Sequence, residues 1–220
     1  MALGGIRIGI SGWRYAPWRG KFYPKGLRQK DELAYAASKF PTVEINGTFY
    51  SLQSPDSFRQ WAAATPDNFV FAVKGRTTLE IDHKRRLRHA IEIRHDSFRT
   101  PAFIALLRKH RIGLVCADTV DWPLLMDLTA DFIYCRLHGS EELYASGYDD
   151  TTLKRWAIRV AAWAKGREPA DALRVTAKPA PRPAGASKGR DVYVYFDNDA
   201  KVRAPVDAAR LAQLVKPALR

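Results

Sequence analysis

Residues 89–118, HAIEIRHDSFRTPAFIALLRKHRIGLVCAD, contain the strand–helix–strand unit that decides the fold. The first part, His89–His95, alternates apolar and polar side chains with the period of a strand. The sequence then predicts a helix over Pro101–His110 and a second strand over Gly113–Asp118. Strands that alternate with helices along a chain belong to a parallel sheet.

The same alternation runs through the rest of the chain. Five further strands are predicted at Ile6–Ile10, Thr42–Asn46, Phe69–Lys74, Phe132–His138 and Asp191–Asn198, and four further helices at Asp31–Lys39, Pro55–Ala64, Asp150–Lys165 and Pro205–Val215. An open doubly wound sheet and a closed barrel both satisfy this order. The segment after the first strand, SGWRYAPWRG at residues 11–20, contains no glycine-rich phosphate loop, which favours the barrel.

The predicted strands number seven, whereas a closed barrel of this kind needs eight. The shortfall falls at residues 75–88, GRTTLEIDHKRRLR, where no helix or strand is predicted. We therefore predict an α/β fold, a TIM-barrel-like parallel (β/α) barrel that is incomplete. We expect residues 1–220 to form a single domain, with a proline-rich loop at residues 167–190 inside it.

Composition excludes several classes of protein. Hydrophobic residues make up 46% of the chain and charged residues 27%, close to globular averages. No apolar run approaches the roughly 18 residues that a membrane helix needs, and we see no signal-peptide pattern. Two cysteines, Cys116 and Cys135, do not make a disulfide framework. We expect a cytoplasmic protein without membrane partners.

The charge is strongly basic, with 36 lysines and arginines against 23 acidic residues and a net charge of +13. Two blocks, residues 1–39 and 75–111, contain most of the excess. A basic surface favours anionic partners, so an anionic small molecule or nucleic acid is the expected partner. A general enrichment in arginine is the alternative explanation.

Polar side chains interrupt the apolar pattern near the carboxyl ends of the predicted strands. They are Glu44, Lys74, Glu92, Arg94, Asp118, Arg136, His138 and Asp197. In a parallel barrel one parity of each strand faces the lumen, and active sites lie at the carboxyl-end mouth. These side chains are therefore expected to converge on a site. The alternative is an ion-pair network that only fills the barrel.

The residue types at this mouth suit acid–base chemistry on an anion. We predict Glu44, Glu92, Asp118 and His138 as catalytic residues. The predicted binding residues are Asn46, Lys74, Arg94, Arg136, Asp197, Trp13 and Tyr15. Carboxylates with histidine also suit a divalent metal, although no HExxH, CxxC or EF-hand spacing supports one. The aromatic and basic loop that carries Trp13 and Tyr15 could equally be a hydrophobic cap of the barrel.

A set of motifs resembles one known family. These are IGISGWRYAPWRGKFYP, VEINGTFY, FAVKG, RHAIEIRHDSF, CADT, YCRLHGSEELYASGY and VYVYFDNDAKVRAP. In order and in register, they resemble the YecE-like family, also called domain of unknown function 72. The resemblance implies a TIM-barrel-type fold and no settled activity. The sequence departs from the family after Gly75, where a segment with one strand is absent.

Two classes of function follow from these observations. The first is an enzyme, a hydrolase or lyase that acts on a phosphate- or sugar-containing substrate. The second is a nucleic-acid-binding protein without turnover, which the basic charge favours. An inactive, truncated relative is a further alternative, because a barrel with a gap exposes strand edges.

Overall fold

A parallel sheet of seven strands forms the centre of the described chain. The computed structural model describes residues 3–51, 53–75, 87–139, 143–144, 146–177, 189–199 and 202–219. The strands are β1 (Ile6–Ser11), β2 (Thr42–Ile45), β3 (Val70–Val73), β4 (Ala90–Ile91), β5 (Gly113–Asp118), β6 (Phe132–Leu137) and β7 (Asp191–Phe196). Their order in the sheet is β3-β2-β1-β7-β6-β5-β4, and every pair is parallel.

Six α-helices accompany these strands in the described residues. They are α1 (Glu32–Lys39), α2 (Gly47–Tyr50), α3 (Pro55–Ala63), α4 (Pro101–His110), α5 (Asp150–Ala164) and α6 (Arg203–Ala218). The start of α4 follows from local chemistry, because the Thr100 hydroxyl accepts the Phe103 amide and Pro101 occupies the first turn. The α4 boundaries agree with the prediction.

The sheet curls into an incomplete barrel, which confirms the predicted fold class. Strands β3 and β4 are consecutive along the chain, yet they lie at opposite ends of the sheet order. Residues 76–86, which connect them, lie outside the described residues. The gap between β3 and β4 is where an eighth strand would close the barrel.

The predicted strand over His89–His95 is shorter in the structure, where β4 covers only Ala90–Ile91. Among the described strands β4 pairs with β5 alone. A strand with one neighbour forms half as many ladder hydrogen bonds as a central strand. The predicted proline-rich loop also falls partly outside the described residues, and residues 167–177 contain no helix or strand.

The hydrophobic core lies between the outer face of the sheet and the helices. Cys135 pairs in register with both Cys116 and Val194, so these three side chains share the outer face. Trp156 and Trp163 of α5 are fully buried against that face. The register with Cys135 places Cys116 on the outer face, away from the lumen. No helix in the described ranges is both long and apolar enough to cross a membrane.

Candidate active site

Arg136 is the centre of a buried ionic cluster inside the barrel. Its Nη1 donates to Glu92 Oε2 at 2.7 Å, and its Nη2 donates to Asp197 Oδ2 at 2.6 Å and Glu44 Oε2 at 3.1 Å. Arg136 lies on β6 and Glu44 on β2, while Glu92 and Asp197 directly follow β4 and β7. Four strands therefore contribute to the cluster, as their lumen parity predicts.

His138 lies beside Arg136 and between two carboxylates. Its Nδ1 is 3.2 Å from Asp197 Oδ2, and its Nε2 is 3.6 Å from Glu92 Oε2. The ring is fully buried, and the rings of Trp122 and Tyr144 contact it edge-on, each with its centroid at 5.3 Å. Burial opposes protonation, but Asp197 and Glu92 outweigh it and raise the pKa of His138.

The two carboxylates beside His138 are held ionised. Burial alone would raise the pKa of Glu92, but His138 and Arg136 lower it well below its usual range. The pKa of Asp197 is also lowered, because His138 and Arg136 outweigh its burial. The buried part of the cluster is therefore a set of alternating charges rather than neutral acids.

Two further cations, Lys74 and Arg94, lie at the rim of this cluster. Arg94 donates to Glu92 Oε1 at 2.8 Å, and its guanidinium lies 4.3 Å from the centroid of the Trp122 ring. Lys74 Nζ lies 5.0 Å from the centroid of the Phe49 ring. Within the described ranges Lys74 has no ion-pair partner, and burial together with nearby Arg136 lowers its pKa.

A group of polar side chains holds Glu44 in place. The Ser11 hydroxyl donates to Glu44 Oε2, and the Tyr134 hydroxyl donates to Oε1 at 2.6 Å. Asn46 Nδ2 in turn donates to Ser11 Oγ at 2.9 Å, and the buried Asn46 Oδ1 has no hydrogen-bond partner among the described residues. Sequence reasoning did not place Ser11 and Tyr134 at the site, although both share the lumen parity of their strands.

Tyr15 and Asp199 interact with each other and with the charge of Asp197. The Tyr15 hydroxyl donates to the Ser11 carbonyl at 2.8 Å, and a Cβ at Gly12, whose φ is +77°, would lie 2.6 Å from that hydroxyl oxygen. Burial and the nearby charge of Asp197 raise the pKa of Asp199 to about 6. Sequence reasoning missed Asp199, because it lies in the loop after β7, beyond the alternating pattern.

Two predicted site residues lie away from the cluster. The Asp118 side chain accepts a hydrogen bond from Trp156 Nε1 of α5 at 2.9 Å, so it faces the helices and the expected lumen placement is wrong. Trp13 is buried and contacts Trp61 edge-on at 5.5 Å. Trp13 therefore packs in the core, which agrees with the alternative that the aromatic loop is a hydrophobic cap.

The carboxylates at the mouth surround the guanidinium of Arg136 and are not arranged around a position that an ion could occupy. Within the described parts of the chain, no three histidine, cysteine or carboxylate side chains have a geometry that could hold a metal ion. Glu44, Glu92 and Asp197 each use an oxygen to accept from Arg136. The predicted alternative of a divalent metal therefore gains no support from the geometry.

The fold and the site together define the class of protein. It is an incomplete parallel (β/α) barrel with an ionic cluster at the mouth formed by the carboxyl ends of its strands. Comparison with known families matches residues 7–88 and 76–220 to "Protein of unknown function DUF72". The chain belongs to this family, which confirms the resemblance seen in the sequence. The two matched segments overlap at residues 76–88, within the stretch where no strand is predicted.

Individual relatives agree with this assignment. The UPF0759 protein YunF of Bacillus subtilis (strain 168) is 38% identical over 69 residues, which are 31% of this chain and 23% of YunF. A DUF72 family protein of Thermotoga maritima MSB8 has a similar structure, with a TM-score of 0.72 and 20% identity, covering 96% of this chain and 99% of its own.

A DUF72 family protein of Enterococcus faecalis V583 is also similar in structure. Its TM-score is 0.68 at 16% identity, and the match covers 96% of this chain and 95% of that protein. At such identities the likeness concerns the fold alone.

Proposed function

We propose that this protein is an enzyme that performs acid–base chemistry, hydrolysis or lyase-type, on a small phosphate- or sugar-containing substrate. The observation that carries the proposal is Lys74. A network that only filled the barrel would pair its own charges, but Lys74 is half-buried at the mouth, and among the described residues Glu44, Asp197 and Glu92 attract it without any of them forming an ion pair with it. A half-buried cation without a close partner is disfavoured, and an anionic substrate would offset that penalty.

The proposed roles follow from position and charge. Lys74 and Arg94, at the rim, would bind the anionic part of the substrate. Glu92 accepts hydrogen bonds from Arg94 and Arg136, and its Oε2 lies 3.6 Å from His138 Nε2. It therefore connects the cation at the rim with the buried cluster. Glu92 is ionised and would act as the base, while His138, whose protonation its two carboxylates favour, would stabilise negative charge.

Asp199 would supply the proton. Its carboxyl group titrates at a higher pH than that of Glu92, because burial and the Asp197 charge disfavour its ionisation. A pair of carboxyl groups with opposite pKa shifts is typical of sites that use one group as acid and the other as base. Arg136, itself held by Glu44, would position the Glu92 carboxylate.

The test is a turnover assay with p-nitrophenyl phosphate and a set of p-nitrophenyl glycosides. We expect the wild-type chain to release p-nitrophenolate from at least one of them, and Glu44→Gln with Glu92→Gln to abolish it while the far-ultraviolet circular dichroism stays unchanged. We expect Lys74→Gln to raise KM, with Lys154→Gln on the exposed surface of α5 as the control. Full activity in the double variant would show that the mouth is not the active site.

Nucleic-acid binding without turnover is the second candidate, and the net charge of +13 favours it. Binding that depends on phosphate contacts weakens steeply as the salt concentration rises. We expect this candidate to show such a salt dependence in a fluorescence anisotropy titration with a short duplex. No binding at low salt would exclude it.

A further inference from the structure

A groove lies outside the barrel mouth, between the loop after β1, the end of α1 and the start of α6. Its volume is about 700 Å³, which is within the usual range of roughly 300–1,000 Å³ for small-molecule pockets. None of the residues described above as mouth residues lines it. The groove is therefore a second candidate site, independent of the proposed acid–base chemistry.

The two walls of the groove differ in chemistry. One wall is aromatic, and its Phe22 ring contacts both Tyr35, with the centroids at 5.5 Å, and Phe40, with the centroids at 6.0 Å. The opposite wall is aliphatic and includes Pro205 and Val206 of α6. A flat, apolar body between these walls would contact rings on one side and aliphatic side chains on the other.

Three cations border the groove and no described acidic residue lines it. The cations are Lys21 from the loop, Lys39 from α1 and Arg203 from α6. The Lys39 ammonium lies 5.1 Å from the centroid of the Tyr35 ring, and neither lysine has an ion-pair partner in the described ranges. Positive charge on both walls, over an apolar floor, fits a ligand that combines an apolar body with several negative charges.

We propose that this groove binds a small organic anion with a flat aromatic body, of the class of a nucleoside diphosphate. Phe22 and Tyr35 of the aromatic wall are partly exposed and are suited to contact a planar ring. Lys21, Lys39 and Arg203 supply positive charge for phosphate oxygens. A hydrocarbon chain would gain nothing from the cations, and a volume of about 700 Å³ accommodates a single nucleotide rather than a polymer.

The experiment is isothermal titration calorimetry of the full chain at low salt with adenosine diphosphate. Adenosine tests the aromatic body alone, inorganic phosphate tests the anion alone, and a short single-stranded oligonucleotide tests a polymeric source. We expect adenosine diphosphate to bind at least about tenfold more tightly than either fragment, because each fragment lacks half of the contacts. Failure of adenosine diphosphate to bind, or binding of the oligonucleotide alone, would overturn the proposal.

Matched surface variants locate the ligand. We expect Lys39→Gln with Arg203→Gln to weaken binding about tenfold or more, and Lys154→Gln on α5 to change it by less than about twofold. Val206→Glu, which places a carboxylate at a position 60% exposed, should also weaken binding, whereas Ile158→Glu at a 63% exposed position of α5 should not.

A mouth variant separates this proposal from the proposed enzyme function. We expect Lys74→Gln to leave the binding of adenosine diphosphate unchanged, because Lys74 does not line the groove. If Lys74→Gln abolished binding while the groove variants did not, the ligand would lie at the mouth and the groove proposal would be wrong. Equal weakening by Lys154→Gln and by the groove variants would show unspecific attraction and would also overturn it.

Discussion

Arg136 holds three carboxylates at once, and this residue connects strands that are distant in the chain. Its side chain is almost fully buried, as is that of Glu44, and Asp197 is nearly as buried. Removal of one partner from a buried ionic cluster leaves uncompensated charge in a medium of low polarity. The stability of the mouth therefore depends on Arg136 more than on any single carboxylate.

Replacement of Arg136 tests this dependence. We expect Arg136→Gln to lower the free energy of unfolding by about 3–5 kcal/mol, because three buried carboxylates lose their common cation. Urea denaturation followed by circular dichroism measures the change. Arg155→Gln, at an exposed position of α5, is the matched control. A loss no larger than that of the control would show that the carboxylates do not need the guanidinium.

Asp199 makes the stability of the fold depend on pH in a defined direction. Burial raises its pKa to about 6 from the usual 3.8, so the folded protein binds this proton more tightly than the unfolded chain does. The stabilisation is complete below the unfolded pKa and is lost as the pH rises through the folded pKa. We expect the stability of the wild type relative to Asp199→Asn to fall between about pH 4 and pH 6, by at most about 1.4 kcal/mol per pH unit.

Urea denaturation of both proteins over this pH range measures the effect. The comparison cancels the contribution of Glu92, and the lowered pKa of Asp197 keeps that neighbour ionised in the folded state over this pH range. A stability difference that stays constant from about pH 4 to pH 7 would show that Asp199 is not held in a setting that favours its protonated form.

At the scale of elements, β4 is the weak part of the sheet. It has two residues, and its edge away from β5 has no neighbouring strand in the described ranges. Ile91 on this strand is 38% exposed. An edge strand with unpaired backbone groups and an exposed apolar side chain promotes pairing between molecules.

A lysine on this edge should suppress such pairing. We expect Ile91→Lys to reduce the light scattering that develops when the protein is concentrated or heated, because natural edge strands use lysine to block association. Ile158→Lys on α5, at a more exposed apolar position, is the control and should have less effect. Equal scattering from the wild type and Ile91→Lys would place the association surface elsewhere.

At the scale of the whole molecule, we propose that residues 1–220 unfold as one domain despite the gap in the barrel. The larger of two hydrophobic clusters in the described residues joins the first loop, the sheet and the last two helices, with Trp18, Trp156 and Leu211 among its fully buried members. We expect tryptophan fluorescence and circular dichroism to report one coincident urea transition. Two separate transitions would contradict a single domain.

The residue patterns predicted the elements better than the contacts between them. The alternation of apolar and polar residues over Thr42–Asn46 and Phe132–His138 correctly predicted that Glu44, Arg136 and His138 face the lumen. GLVCAD is apolar almost throughout, so its parity was ambiguous, and the register with β6 places Cys116 and Asp118 on the outer face. Asp199 could not be predicted from a strand pattern, because it follows β7 in a loop.

The sequence by itself determined the seven strands and their parallel (β/α) order, because side-chain periodicity and chain order are local properties. The resemblance to the family adds the expectation of a missing segment after Gly75. Tertiary structure alone decided that Glu44, Glu92 and Asp197 share one guanidinium, and that Lys21, Lys39 and Arg203 border one groove. Such contacts depend on strand register and on the packing of helices that are distant in the chain. No local pattern encodes those relations.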